Sequence, residues 1–488
     1  MLDIRLIRDN EKYKLIKRDF LKRDLTSLLE DFTKEEILNL SDEELLRLID
    51  KYENSFTLKL EELRKMDELW RKMLKKLEEK RALRNKLSKE VANLYKKGEK
   101  ENAEKIKEKV KLLKDEIENL EKEVKKIEES IGKLKLQLPN LVDKDVPLGF
   151  DESDNKEIYI TTPQKIKVLE DNKSLIEEFK EKGVDFELVS RVFHHYYLEE
   201  NNLIDTKKAG EISESRFYFE FNDIALLDIA LINFSLDLFI KELRKRNLNF
   251  KVVIPPYMVR KEIEEGATTL DAFEEALYKI EDENLYLIPT AEHVLVAYFK
   301  NTLLEEKDLP LILVGISPAF RREAGAHGKD TKGIFRVHQF HKIELFAITK
   351  EKEDKRIMKE LINIAEQILI SLKIPYRRVR ICSGDMDKKA RYQEDLEAWF
   401  PGQQRFREVG SYAYLGDWQA RRLNIKYLSN EERKYVSTVY ATGIAIQRII
   451  CSLVENHFNE KESVIEVPSI LRKYLPIKEK ISVITKQL

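Results

Sequence analysis

The sequence predicts an α+β protein. An N-terminal helical part carries a long antiparallel coiled-coil hairpin, and a larger body mixing strands and helices follows. Three observations predict this. From about Leu60 to Leu138 apolar residues recur at alternating steps of three and four, with one break near Lys96–Asn102. From Leu311 to Thr349 two extended runs flank a Gly-rich polar connection, the pattern of a strand hairpin. Elsewhere, helical periodicities feed short runs that stop at proline, as in Phe250–Pro256.

Length and charge bound the rest. A chain of 488 residues suggests two or three domains. Lys and Arg number 89 against 90 Asp and Glu, a net charge of -1, so there is no global field for nucleic acid. Any such affinity must come from local patches. Two cysteines, Cys382 and Cys451, make neither a disulfide framework nor a zinc site, and they fit a reducing cytoplasm. The start, MLDIRLIRDN, is charged throughout and lacks the apolar core of a signal peptide. No run approaches the roughly 20 apolar residues of a membrane span.

Residues 1 to about 56 read as short helices, with capping boxes at Thr33/Glu36 and Ser41/Glu44. The seam then runs through Leu63, Met66, Trp70, Met73 and Leu77, continues at Leu87, Val91 and Leu94, and returns from Ile106 to Leu134. Each arm, at 1.5 Å per residue, extends on the order of 55 Å and should project into solvent. The first arm is rich in cations (Lys72, Lys75, Lys76, Arg81, Lys86, Lys89). It is either a solvated surface or a strip for a phosphate backbone. Lys80 and Arg84, at seam positions, favour the second.

Pro139-Asn140-Leu141 ends the hairpin, and the polar stretch Val142–Lys156, with Pro147 and Gly149, marks a boundary. The domains expected are therefore 1–140, a linker 141–163 and a body 164–488. In the body, a helix over Ile224–Arg246 should bury Ala225, Ile229, Ile232, Leu236 and Ile240. The following strand stops at Pro255-Pro256 and should lie at an edge or interface. Thr290 and Glu292 lie where a strand gives way to a helix, and Thr290 is an N-cap or a binding hydroxyl.

The central hairpin rises to Phe320-Arg321-Arg322-Glu323, turns through Gly325, Gly328, Lys329, Asp330, Lys332 and Gly333, and returns over Ile334–Thr349. On the return, Val337, Gln339, His341 and Ile343 share one face, and Arg336, His338, Phe340, Lys342 and Glu344 the other. That second face, opposite Arg321 and Glu323, suits a ligand that is flat, anionic and zwitterionic at once. A helix follows over about Asp354–Leu372, then a strand near Arg377–Ile381. Next, a strand, a Pro-Gly turn and a second strand carry Glu397 and Glu408. Single carboxylates are usually surface groups, but two on adjacent strands beside a triphosphate suit a metal. Finally Ala441–Arg448 opens a helix to about His457. Gly443 permits close backbone approach, and Arg448 is a salt-bridge partner or a phosphate clamp.

In this order, the strand ending at Pro256, the hairpin with Phe-Arg-x-Glu, and the Gly-containing entry to the helix of Arg448 resemble the three signature motifs of class II aminoacyl-tRNA synthetases. IPTAEH, FRREAGAHGKDTKGIFRVHQFHKIE, LEAWFPGQQRFREVGS, GDWQARR and the N-terminal MLDIRLIRDN with its hairpin are similar to seryl-tRNA synthetase. The likeness covers nearly the whole chain.

The resemblance implies a catalytic domain built on an antiparallel six-stranded sheet flanked by helices, a homodimer formed through the first motif, and ATP with Mg²⁺ as cofactors. It implies attack of serine on the α-phosphate of ATP. The seryl group then passes to the 3′ end of tRNA(Ser), leaving open tRNA(Sec) as a second acceptor. Arg321 would grip the α-phosphate and Arg448 the γ-phosphate, and these two are the catalytic pair. Glu323, Val337 and Phe340 would hold adenine. Glu408, Val409, Gly410 and Ser411 complete the ATP site, with Mg²⁺ held through ATP at Glu408 and Ser411 and supported by Glu397. Serine would meet Thr290, Ala291, Glu292, Arg321, Glu344 and Thr442. The hairpin would receive the long variable arm of tRNA(Ser).

Some positions depart from the family pattern. Tyr440-Ala441-Thr442-Gly443 stands for the usual Asn-Gly-Ser-Gly, Gln447 for the Gly before the arginine, and a piece near Leu25–Phe56 is extra. A synthetase-like ligase for a carrier protein would lack the hairpin. A scaffold paralogue would have lost Arg321, Glu323 or Arg448, and all three are present.

Overall fold

The computed structural model describes residues 1–269, 274–323, 332–475 and 479–483. The expected loop positions Gly325, Gly328, Lys329 and Asp330 lie outside these. The chain divides into two compact units: Leu2–Leu21 with Leu40–Pro139, and Met1 with Lys22–Asn39 and Asn140–Leu488.

The smaller unit is dominated by α1 (Ser55–Lys96) and α2 (Lys100–Gln137), which pair along their length. Asn54 caps α1, its side chain accepting from the N–H groups of Phe56 and Thr57. Gly98, at φ 81°, makes the left-handed stop that lets the chain reverse. The seam is apolar where expected: Leu77 packs with Ile117, Leu120 and Val124, with Trp70 and Met73 beside them. Lys80 answers its seam position by crossing to Glu116 at 2.6 Å, and Arg81 reaches Glu121 at 2.7 Å. These half-exposed pairs are worth under about 1 kcal/mol each. Lys80 is therefore engaged within the hairpin, whereas Lys72, Lys75, Lys76, Lys86 and Lys89 stand exposed. Both expected capping boxes form.

The larger unit is built on one sheet of eight strands. In chain order these are β1 (Lys156–Thr161), β2 (Asn249–Val253), β3 (Leu311–Phe320), β4 (Gln339–Thr349), β5 (Tyr376–Arg380), β6 (Tyr392–Phe400), β7 (Arg405–Gly416) and β8 (Ser437–Ala445). Their order across the sheet is β1-β5-β6-β7-β8-β4-β3-β2. The middle six are mutually antiparallel, as expected. Two edge strands extend them: β1, antiparallel to β5, and β2, parallel to β3. Helices α3 (Asn222–Lys245), α4 (Ala291–Ala297), α5 (Asp354–Ser371) and α6 (Ile446–Asn456) supply the apolar layer against it.

Four expectations change here. The stretch 141–163 is part of the body: Val142 and Val146 enter its core, and β1 joins the sheet. Its acids and Pro147 suggest a linker only because its few apolar residues are widely spaced. The segment 22–39 belongs with the body too. Arg23 donates to the carbonyls of Asn140 (3.1 Å) and Asp387 (2.9 Å), and Lys34 pairs with Asp154 at 3.0 Å. Helix α3 is apolar on nearly every side, so its stripes compete. Ile224, Leu227, Leu231, Phe234 and Phe239 face the core, and Ile229, on the expected inner face, is 55% exposed. Lastly, Ala441–Ala445 is strand, and the helix begins at Ile446.

Candidate active site

The site is shaped by two places where strand registers slip. Between β4 and β8, Ile343 faces Ile444 but Glu344 faces Thr442, so Gly443 is passed over. A Cβ at 443 would come within 2.8 Å of Phe239 and 2.9 Å of the Ile343 carbonyl, so only glycine fits. The slip thereby makes Thr442, rather than Gly443, the residue that faces Glu344 across the ladder. Between β6 and β7 the slip passes over Val409, pairing Glu397 with Glu408, while Asp395 faces Ser411.

One recess of about 500 Å³ gathers Arg321, Glu323, Val337, Phe340, Glu408, Val409, Thr442 and Arg448. Phe335, Arg336, Lys342, Ala445 and Gln447 complete its lining. Arg321 and Arg448 therefore share one cavity. Arg321 lies over the Phe340 ring at 5.4 Å and donates from Nε to the Pro289 carbonyl at 3.1 Å. Arg448 reaches the Glu408 carboxylate at 3.2 Å and its carbonyl at 2.8 Å, and lies over Phe335 at 5.1 Å. Glu323 sits at φ 48°, a conformation glutamate rarely adopts, and accepts from Arg336 Nε at 2.5 Å.

The alternation expected for the returning run holds only from Gln339 on, because residues 332–338 turn rather than extend. Gly333, at φ 68°, packs on His195. Val337 consequently shares the recess with Phe340, while His338 stacks on Phe217 at 5.2 Å, away from it.

Thr290, Ala291, Glu292 and Glu344 are buried and do not line the recess. Thr290 is the N-cap, and its hydroxyl is also engaged by a carboxylate. Its hydroxyl accepts from the Glu292 N–H at 3.4 Å, capping α4, and donates to Glu344 Oε1. Glu344 Oε1 also meets Lys342, but Glu344 Oε2 is buried with no hydrogen-bond partner. A buried unpaired carboxylate oxygen is costly, which points to a missing donor. Glu292 is committed elsewhere, to Lys389 at 3.0 Å and Gln419 at 2.7 Å. Burial opposes the Lys389 charge, but Asp387 and Glu292 hold the ammonium, its pKa pushed up to about 12. Ala291 offers only backbone. Gly410, packed under Tyr412, and Ser411, whose Oγ accepts from Gln393 Nε2 at 3.0 Å, stand behind Glu408 on β7.

Charge is arranged asymmetrically. Burial opposes ionisation of Glu408, but Arg448 and then Arg321 more than offset it and hold the carboxyl below its usual range. Burial, then Glu408, pushes Asp395 well above its range, and burial raises Glu397 despite Arg377 at 2.6 Å. Among the described residues no three carboxylate, histidine or cysteine side chains converge to hold a metal unaided. Glu408 and Ser411 nonetheless offer the hard oxygens that Mg²⁺ takes, and phosphate oxygens would have to supply the rest.

Sequence reasoning missed Phe335 and Gln447 as lining residues, and the Lys342–Glu344 pair. Lys342 was legible, since two residues along a strand share a face. Nothing in the sequence placed Phe335.

The chain matches the model of the tRNA synthetase class II core domain (G, H, P, S and T) over residues 278–457 and that of the seryl-tRNA synthetase N-terminal domain over residues 37–142. It is 42% identical over 491 residues to the serine–tRNA ligase of Pyrococcus abyssi, covering 100% of this chain and 99% of that protein. It is 44% identical over 415 residues to that of Sulfolobus acidocaldarius, covering 84% and 88%. Its fold is similar to the seryl-tRNA synthetase of Pyrococcus horikoshii complexed with ATP (TM-score 0.84, 39% identity, 99% of this chain and 100% of that one). It is also similar to the cytoplasmic serine–tRNA ligase of Naegleria fowleri in complex with AMP (TM-score 0.77, 28% identity, 99% of each).

Proposed function

The chain belongs to the seryl-tRNA synthetase family, and from that premise we propose how its own residues make it a serine–tRNA ligase. The observation that carries the reading is the single recess shared by Arg321, Phe340 and Arg448. Phe340 is the plate for adenine, and Glu323 accepts from the base once Arg336 releases it. Val337 and Val409 flank the nucleotide. Arg321 and Arg448 approach the triphosphate from two sides, where charge develops as the serine carboxylate attacks the α-phosphate, the α–β bond breaks and pyrophosphate leaves seryl-adenylate behind. No side chain has to move a proton in that step. Positioning and charge stabilisation suffice.

Glu408 and Ser411 are the residues that would hold Mg²⁺ together with the phosphates, supported by Glu397. When bound, the ion neutralises phosphate charge. Glu408 is kept ionised by Arg448 and Arg321, which suits it to that task.

Serine's ammonium is the donor that Glu344 Oε2 lacks, and the Thr442 hydroxyl, opposite Glu344, meets the side-chain hydroxyl. Thr290 orients Glu344 through Oε1. Glu292 acts through Lys389 and Gln419 as a support rather than a direct ligand, and Ala291 contributes backbone. A site whose buried polar groups need a hydroxyl rejects alanine by leaving them unpaired. Serine-dependent ATP–pyrophosphate exchange tests the reading: robust exchange with serine and at least about a hundredfold less with alanine at equal concentration. Equal exchange with alanine would overturn it.

The partners are tRNA(Ser), through the exposed lysines of α1, and a second copy of the chain. Ile229 on α3, Val252 and Ile254 around edge strand β2, and Tyr257 and Met258 just beyond are all exposed. An open strand edge beside bare apolar side chains is an association surface. Ile229→Asp with Ile254→Asp is expected to halve the mass measured by sedimentation equilibrium. Unchanged mass would place the interface elsewhere. The two free, buried cysteines accord with a cytoplasmic setting.

A further inference from the structure

Beside the recess lies a polar cluster, buried at Asp228 and Gln447 and half-exposed at His341, that the mechanism above leaves unused. It joins Asp228 on α3, His341 on β4, Gln447 on α6 and Glu220. The β4–β8 ladder ends at the pair Lys342–Ala445. Just past it, the side-chain carbonyl of Gln447 accepts from the backbone N–H of His341 at 2.8 Å, so a side chain continues the ladder where the strand has become helix. The Gln447 amide donates its two hydrogens to Asp228 Oδ2 at 2.6 Å and Glu220 Oε1 at 3.1 Å. Both amide hydrogens and the carbonyl are thereby engaged, which favours one rotamer. The His341 ring is tied to the same carboxylate, Nδ1 lying 2.9 Å from Asp228 Oδ2 and 3.0 Å from Oδ1.

Two carboxylates so close are tolerable because the charge is shared out. Burial, then Asp228, pushes the Glu220 carboxyl up to about 7, and the Asp228 bond holds His341 more basic than usual. Asp228 and Gln447 are themselves buried, and side chains bonded from several sides hold one another in place.

The covalent neighbours of this cluster are the two walls of the recess. Phe340 precedes His341, and Arg448 follows Gln447. Neighbours along a strand point to opposite faces, so His341 is held behind the sheet while Phe340 enters the recess. We propose that Gln447, His341 and Asp228 act as one joint that fixes the spacing between the Phe340 wall and the Arg448 wall, and so set the affinity for the nucleotide rather than for the amino acid. Gln447 reaches the lining of the recess, whereas His341 and Asp228 do not. They are positioning residues. Gln447, bonded to His341, Asp228 and Glu220, is the hub.

The inference rests on the reading of the recess as the ATP site. The test is ATP–pyrophosphate exchange by the full-length protein, titrating ATP and serine separately. Gln447→Met and His341→Ala are each expected to raise KM for ATP about tenfold and leave KM for serine within about twofold, the cost of lost positioning outside the chemistry. His341→Asn, whose amide can still donate to Asp228, should recover most of the ATP affinity. The double variant should be no worse than the poorer single, because one joint fails once. Parallel rises in both KM values, multiplying effects in the double variant, or no change would overturn the proposal. Should Gln447→Met not fold, judged by its circular dichroism, His341→Ala against His341→Asn decides it in the same way. Failure of the underlying reading is distinguishable, since wild-type exchange would then itself be missing.

Discussion

Replacing Glu344 with alanine is expected to abolish serine activation, lowering exchange by on the order of a thousandfold or more. The magnitude follows from where the residue stands. Its side chain is 3% exposed, one oxygen is held by Thr290 and Lys342, and the other waits unpaired. Removing one partner of a buried charge pair costs ~3–5 kcal/mol, and roughly 1.4 kcal/mol is a factor of ten. Lys342 would also be left beside a void. Glu344→Gln separates charge from volume. If the ammonium is the ligand, the amide should lose nearly as much as alanine. Retention of exchange by Glu344→Gln would assign Glu344 to holding Lys342 alone, and unchanged exchange in Glu344→Ala would remove it from the pocket.

Cutting the hairpin back, by joining Leu77 to Ile117 through a short Gly-Ser turn, is expected to leave exchange intact and lower tRNA charging by about a hundredfold or more. The cut removes Arg81, Arg84, Lys86 and Lys89 with the outer parts of α1 and α2, and keeps Trp70, Met73, Leu77, Ile117, Leu120 and Val124, which pack together. Phosphate contacts dominate nucleic-acid affinity and are lost in proportion to their number, so wild-type charging should also fall steeply with salt. RNA arms are met by shape and backbone, which suits a strip of exposed lysines. A truncated chain that charges tRNA normally would take the hairpin out of recognition. One that loses exchange as well would show that the hairpin supports the body.

Much of this was legible in the residues, and the exceptions share a cause. The hairpin read cleanly because an isolated pair of helices has one buried face, so its seam had no competing stripe. Lys80 and Arg84 were the exceptions, and the facing Glu116 explains Lys80. Helix α3 was misread because two apolar stripes overlap on it, and a period of 3.6 says that a face is buried without saying which of two it is. The strand–helix change at Ile446 was placed five residues early, since β-branched Thr442 and Ile444 suit either state when both faces are buried. In the site, Arg321, Phe340 and Arg448 could be named because each occupies a recognisable motif. The unpaired Oε2 of Glu344, the diversion of Glu292 to Lys389, and the Gln447 cluster depend on residues far apart in the chain meeting in space. No local pattern carries that.

The passed-over glycine on β8 bears on attempts to give this enzyme another amino acid. Position 443 decides which neighbour looks at Glu344, so any side chain there rotates the wall and scrambles the chemistry for every candidate substrate alike. On the proposed reading, position 442 is the one that meets the serine hydroxyl. Libraries aimed at altered selectivity should vary the threonine and leave the kink after it untouched.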